Sequence, residues 1–299
     1  MKILITGSTG LLGSALVARL EKDAHTIVRM VRDRQKVGPG HVYWSSEAPD
    51  PIDREALEGF DAVVHLAGET VAQRWSPERK HRIRNSRVQG TGILVQNFRE
   101  LGHPPKVMLC ASAIGYYGER GDEVVNEQSP RGKGFLSSVC RDWEDAALSY
   151  ADTGARVVCM RLGVVLGRGG GALAKMLPPF RLGLGGVLGP GTQYMSWIHL
   201  QDVVGAIHYM LENEDLAGPV NLAAPNPVTN REFTRTLGKV LKRPTVFPLP
   251  GFLLQFAMGE MARETLLSST RVEPAALVQA GFRFSFPQLR PALEDLITG

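Results

Sequence analysis

Residues 1–13 read MKILITGSTGLLG, and this stretch decides the fold. Ile3, Leu4 and Ile5 form an apolar run without alternation, the pattern of a strand buried on both faces of a parallel sheet. Thr6-Gly7-Ser8-Thr9-Gly10-Leu11-Leu12-Gly13 follows at once, and LLGSALVARL (11–20) has a helical period. Strand, glycine turn and helix in direct succession predict a dinucleotide-phosphate site. Gly7 makes the tight turn, Gly10 lets the backbone approach a pyrophosphate, and Gly13 lets the helix pack closely on the strand. The phosphates then rest on free N–H groups at the helix N-terminus, where the dipole also favours anions. Gly7, Thr9, Gly10, Leu11, Leu12 and Gly13 are therefore candidate cofactor-binding residues.

The whole chain sets the bounds. At 299 residues it is long enough for one large α/β domain or two lobes. No apolar run reaches the roughly 20 residues of a membrane span, and a membrane partner is not expected. Met1 opens directly onto a strand and leaves no room for a leader, so the expected compartment is the cytoplasm. Cys110, Cys140 and Cys159 lack metal-like spacing and read as buried thiols, and no metal is expected. The net charge of +4 is local: Arg74, Arg79, Lys80, His81, Arg82, Arg84 and Arg87 crowd one stretch. Trp75 alone does not make the aromatic interleaving that stacks on single strands, so a solvated helix face or the wall of an anionic cofactor site is expected rather than nucleic acid.

Further along, strands are expected at 26–31, 61–66, 106–111 and 156–162, alternating with helices at 77–100 and 136–151 and a short one at 53–58. Such alternation predicts a doubly wound parallel sheet of Rossmann type with right-handed crossovers. After Val165 the texture changes, with nine glycines and three prolines between Leu166 and Gly191. The expected division is a Rossmann domain over 1–165 and a smaller α/β substrate lobe over 166–299, the chain being free to cross between them. Short strands at 196–200 and 220–223, and helices at 201–212, 229–241, 252–267 and near the end, complete the reading. Segment 244–250 reads as extended.

Cofactor choice is argued at the end of the second strand, TIVRMVRDR. NAD enzymes of this architecture place an acid there to accept from the ribose hydroxyls. Here Val31 and Arg32 end the strand and Arg34 lies just beyond, so a guanidinium can grip a 2′-phosphate with two parallel hydrogen bonds. Asp33 is the competing ribose acceptor, but two arginines around one acid favour NADP(H). Leu66-Ala67-Gly68 ends the next strand with small residues that let the backbone lie flat on the adenosine.

Several motifs then line up: DAVVHLAGE (61–69), SRVQGT (86–91), SAIGYYG (112–118), RLGVVLGRGGGAL (161–173), LPPFRLGLGG (177–186), GTQYMSWIH (191–199) and GPVNLAAPNPVTNREF (218–233). Their order and spacing, with TGSTGLLG, resemble the atypical extended short-chain dehydrogenases called the epimerase family, which includes bacterial YfcH-type proteins. The resemblance runs from residue 1 to about 297. It implies a Rossmann fold, an Arg87 that faces the cofactor, and a Gly163-Val164-Val165 segment beside the nicotinamide end. Extended short-chain dehydrogenases normally use Ser or Thr, Tyr and Lys. The Tyr moves the proton, and the Lys four residues later lowers its pKa and holds the ribose. By the resemblance, Ala113 stands at the Ser position with Ser112 before it, Leu136 at the Tyr position and Cys140 at the Lys position. No Y-x-x-x-K occurs in the chain.

Tyr116 and Tyr117 are the candidate replacements, with Lys133, His199 and Glu69 behind them. Tyr194 and Trp197 are candidates for a substrate wall, and the charge of Arg161, at the end of a buried strand, calls for a carboxylate from the substrate lobe. The preferred reading is an NADP(H)-dependent oxidoreductase or nucleotide-sugar-epimerase-like enzyme acting on a small or nucleotide-linked substrate. The alternative is a non-catalytic NADP(H)-binding sensor or assembly protein, favoured by a sealed cleft or a large exposed apolar patch. A homodimer is left open.

Overall fold

The computed structural model describes residues 1–45 and 54–298. The apolar runs form the expected parallel strands: β1 (Lys2–Thr6), followed by α1 (Leu11–Lys22), then β2 (Thr26–Val31), β3 (His41–Tyr43) and β4 (Ala62–His65). Next come α2 (Pro77–Arg99), β5 (Val107–Ala113), a two-residue β6 (Val124–Val125), α3 (Phe135–Leu148) and β7 (Arg156–Leu162). Ser76 starts α2 by accepting from the Arg79 N–H, with Pro77 preset for a first helical turn. The helix expected at 53–58 is a single 3₁₀ turn, Glu55–Leu57; Asp53 lies outside the described residues.

Beyond residue 165 the chain crosses between the lobes. After β8 (Val164–Gly167), α4 (Gly171–Arg181), β9 (Tyr194–Met195) and β10 (Trp197–His199), the chain returns to the first domain. There α5 (Leu200–Glu212) packs on α1, and β11 (Gly218–Leu222) pairs in parallel with β7. The seven-stranded sheet has the order β11-β7-β5-β4-β1-β2-β3. It needs β11 because Val220 and Leu222 complete the apolar face on which α5 sits. The second lobe holds β12 (Val228–Thr229), α6 (Asn230–Leu241), α7 (Gly251–Met258), β13 (Arg271–Val272), α8 (Ala275–Gln279) and α9 (Leu289–Thr298). Of these, α8 also reaches back to the sheet through Leu277.

Two cores sandwich the sheet. One joins Ile3 and Ile5 to Leu16 and Leu20 of α1 and Ile207 of α5; the other joins Leu4 and Val63 to Phe98 of α2 and Trp143 of α3. A third, built on Trp197, Phe233 and Leu293, holds the second lobe. The switch in strand order lies between β1 and β4, whose carboxyl ends open the crevice where ligands of such sheets gather.

Candidate functional site

The turn after β1 is built from missing side chains. Gly7 has a φ of +68°, and a Cβ there would sit 2.8 Å from the Leu66 carbonyl carbon. A Cβ on Gly13 would lie 2.2 Å from the Gly7 carbonyl oxygen, so the first turn of α1 can press on the loop only as glycine. Gly10 precedes α1 without a side-chain cap, and the first turn holds no acid. The leading N–H groups, at Leu11, Leu12 and Gly13, thus have no side-chain acceptor among the described residues. The Leu11 side chain itself packs against Gly167 and Gly171 of the second lobe.

A cavity of about 430 Å³ opens beside this turn. Gly7, Thr9 and Gly10 form one wall, Val31 and Arg32 another, and Leu66, Ala67 and Gly68 a third. Arg32 has no hydrogen bond or ion pair among the described residues. Asp33, the competing acceptor, turns back on its own chain: its carboxylate accepts from the Gln35 N–H at 3.0 Å and caps the short Arg34–Lys36 turn. The Arg34 guanidinium lies 4.3 Å over the Tyr43 ring. Arg87 projects from α2 towards Gly68, where a Cβ would be 3.1 Å from its guanidinium carbon, and Arg87 itself donates to the Ile83 carbonyl. Val165 lies on β8, opposite Ile198, outside the lining of this cavity. Three of the neighbouring basic run are spent on carboxylates: Arg79 on Glu69, Arg84 on Asp142 and Lys80 on Glu260.

Sequence reasoning missed Trp44 and His65. Trp44 lines the cavity at the end of β3, a three-residue strand too short to show an apolar period. Its indole N–H is buried without a partner among the described residues. His65 is wholly buried beside it, and the Thr6 hydroxyl oxygen lies 2.7 Å from its Nδ1. The same oxygen accepts from the N–H groups of Leu66 and Ala67, which fill its lone pairs, so the hydroxyl donates to His65 and leaves the ring proton on Nε2. Burial pushes the His65 pKa down to about 3, with the Arg87 charge adding to it.

The far end of the crevice is different. Leu136 and Cys140 face the turn after β5, with the Leu136 Cβ 3.4 Å and the Cys140 sulfur 3.8 Å from where a Gly115 Cβ would stand. Burial pushes the Cys140 thiol up to about 12, so it carries no charge at neutral pH. Ser112 points away from the crevice and donates to Glu144 at 2.6 Å. Glu144 also receives Arg161 in a two-pronged pair at 2.9 and 2.8 Å, both residues buried. The partner of Arg161 is therefore a carboxylate of α3, within the first domain, and not one of the substrate lobe as the sequence suggested. The reason is register: Arg161 stands opposite Ser112, so both side chains meet Glu144.

This network takes in Tyr117. Its ring is fully buried, and its hydroxyl accepts from Arg161 at 2.9 Å and donates to Asn221 at 2.7 Å. Burial pushes the hydroxyl up to about 12 despite Arg161. Tyr117 is a brace between β7, β11 and the β5 turn. Tyr116 is only half-buried; its ring covers the Arg161 guanidinium at 3.5 Å, and its hydroxyl has no partner among the described residues. His199 caps α5 by accepting from the Gln201 N–H, and Trp197 is core. Tyr194 packs on Arg271 at 4.7 Å, Glu69 is paired with Arg79, and Lys133 is exposed.

Comparisons with known proteins agree with this geometry. The model of the NAD dependent epimerase/dehydratase family matches residues 3–223, and a domain of unknown function, DUF1731, matches residues 249–296. Epimerase family protein Mb2239 of Mycobacterium bovis is 44% identical, over 97% of this chain and 96% of its own length. The crystal structure of human epimerase family protein SDR39U1 (isoform 2) with NADPH is 34% identical over 100% of both chains, with a TM-score of 0.89. A nucleoside-diphosphate sugar epimerase from Corynebacterium glutamicum superposes with a TM-score of 0.80 at 35% identity, covering 99% of this chain and 58% of that one. The chain belongs to the NAD dependent epimerase/dehydratase family.

Proposed function

We propose that this protein binds NADP(H) in the crevice beside the glycine turn and works as an oxidoreductase on a small or nucleotide-linked substrate held between the two lobes. One observation carries the cofactor choice. Arg32 stands at the end of β2 on the cavity wall with no partner among the described residues, while the adjacent acid, Asp33, is used by its own turn. A guanidinium so placed suits a 2′-phosphate, and the full-length likeness to a protein solved with NADPH supports the same choice. NADP(H), when bound, donates or accepts a hydride. The chain's own part is to hold the phosphates on the first turn of α1, the 2′-phosphate on Arg32 and the adenosine against Leu66–Gly68. Tyr116 is then the group for the proton step: its hydroxyl has no partner among the described residues at the carboxyl end of β5, and its ring is held over the Arg161 guanidinium at 3.5 Å.

The test has two arms. Titrating NADPH and NADH against wild type and Arg32→Ala should show a preference for NADPH of about tenfold or more that the variant loses; equal affinities in wild type sink the cofactor choice. In a substrate screen followed by NADPH absorbance, Tyr116→Phe should lower turnover by roughly 10²–10⁴ and remove one limb of the pH profile. Unchanged turnover in that variant rejects the tyrosine. The second reading, a protein that binds NADP(H) without turnover, is favoured by Leu136 and Cys140 standing where the proton relay belongs. It gains if no substrate class consumes NADPH while tight binding persists.

A further inference from the structure

The second lobe carries an apolar ledge that the crevice does not use. Segment 183–189 runs beside segment 244–251: the Leu249 N–H donates to Val187 and the Gly189 N–H donates to Leu249, both at 2.9 Å. The Gly183 backbone meets Pro244 in the same seam. Large apolar side chains stand out from both segments and from α7, which continues the second. Phe256 is 83% exposed, Leu182 74%, Phe252 70% and Val246 68%, with Leu184 and Phe247 more than half exposed. Phe252 and Phe256 are four apart on α7 and share one face, whereas Leu254 is buried and fixes the helix to the lobe.

The two stretches of chain that carry the ledge hold charge of one sign. Between Gly171 and Gln201, and again between Phe233 and Gly259, the chain contains no Asp or Glu. The same two stretches contain Lys175, Arg181, Arg235, Lys239, Lys242 and Arg243. Arg181, Lys242 and Arg243 are exposed and make no ion pair among the described residues. A second copy of the chain, packed two-fold on this face, would bring identical cations together, so self-association is disfavoured. Protruding Phe and Leu ringed by Lys and Arg instead match an interface whose outer layer is anionic and whose next layer is apolar.

We propose that this ledge docks the protein on a bilayer surface bearing anionic headgroups, with Phe252 and Phe256 entering the headgroup–acyl boundary. This is attachment to a surface; no helix among the described residues is long and apolar enough to cross a membrane. The proposal is independent of the cofactor reading. The experiment is co-sedimentation of the full chain with vesicles of phosphatidylcholine alone or mixed with phosphatidylglycerol, at about 0.1 M and about 1 M salt. Binding is expected only to the mixed vesicles and should weaken at high salt. Arg181→Gln with Arg243→Gln should weaken it by about fivefold per charge removed, and Phe252→Ser with Phe256→Ser should abolish it at a thermal midpoint close to wild type. Absence of sedimentation, equal binding to neutral vesicles, or binding untouched by both double variants overturns the proposal. So does a concentration-dependent dimer that the Phe double variant dissociates, which would assign the ledge to a second copy.

Discussion

The two ends of the crevice are made in opposite ways. At the phosphate end the chain removes side chains: Gly7 and Gly13 leave no room for a Cβ, and the backbone itself presents the binding groups. At the relay end it keeps side chains and buries them. Ser112, Glu144, Arg161, Tyr117 and Asn221 satisfy one another, and Leu136 and Cys140 are apolar in effect. A turn built of backbone tolerates little variation, because a Cβ at Gly7 or Gly13 would fall under van der Waals distance of the backbone. A proton relay depends on a few replaceable tips. The family's binding function and its chemistry are therefore separable in this chain, and the first is the better preserved.

The sharpest way to test that contrast is to break the buried pair. Glu144→Gln leaves Arg161 uncompensated in the core and should cost about 3–5 kcal/mol of stability. The thermal midpoint should fall by several degrees, while the variant, below its midpoint, keeps wild-type affinity for NADPH. A loss of affinity in the folded variant would mean the two ends are coupled. At the other end, Gly10→Val should weaken NADPH binding by about a hundredfold or more with native circular dichroism. A Cβ there meets only the Gly7 oxygen at 3.4 Å, so the added methyl groups project into the anion site and not into the core. Retained binding would place the phosphates elsewhere.

A smaller effect should come from acid. His65 is neutral when folded, with its pKa depressed from 6.5 to about 3. Below about pH 6.5 the unfolded chain takes up a proton that the folded one refuses. Stability should therefore decline as pH falls from about 6.5 towards about 3, by up to ~1.4 kcal/mol per pH unit. The slope of the thermal midpoint against pH should flatten in His65→Asn, and identical slopes would show that other groups govern the acid limb. The least effect is expected at Cys140. Cys140→Ala should lose about 1 kcal/mol or less of packing and leave turnover unchanged, and iodoacetamide should leave the thiol of the folded wild type unmodified at pH 8. Labelling of that thiol, or lost turnover, would reopen the relay position.

The strands of the first domain were legible because burial on both faces leaves uninterrupted apolar runs, as in β1, β4 and β7. The turn after β1 was legible because only glycine fits it. β3 was not, since three residues between Gly40 and Trp44 offer no period to read. Pro178 and Pro179 disguised α4, where they sit in the last turns and the interior of an eleven-residue helix. The pairs β6–β13 and β9–β12 join residues far apart in sequence, so no local pattern marks them. At the site, Arg32 could be found from strand position alone. The role of Tyr117 could not: its hydroxyl partners, Arg161 and Asn221, stand on two strands, and adjacent tyrosines look alike until the turn sends one inward.

The return of the chain to the sheet at β11 governs how the protein must be made. On a ribosome the edge of β7 emerges with its ladder groups unpaired, and it stays open until Leu222 has left the exit tunnel. During that interval the nascent sheet also lacks α5, so Ile3, Ile5 and Leu109 are covered on one side by α1 alone. Vectorial folding thus leaves an adhesive intermediate of defined length, and a fragment ended at Val165 would be frozen in it. The nucleotide cannot be secured by a half-made protein, since the layer that stiffens its turn arrives only after the second lobe has begun.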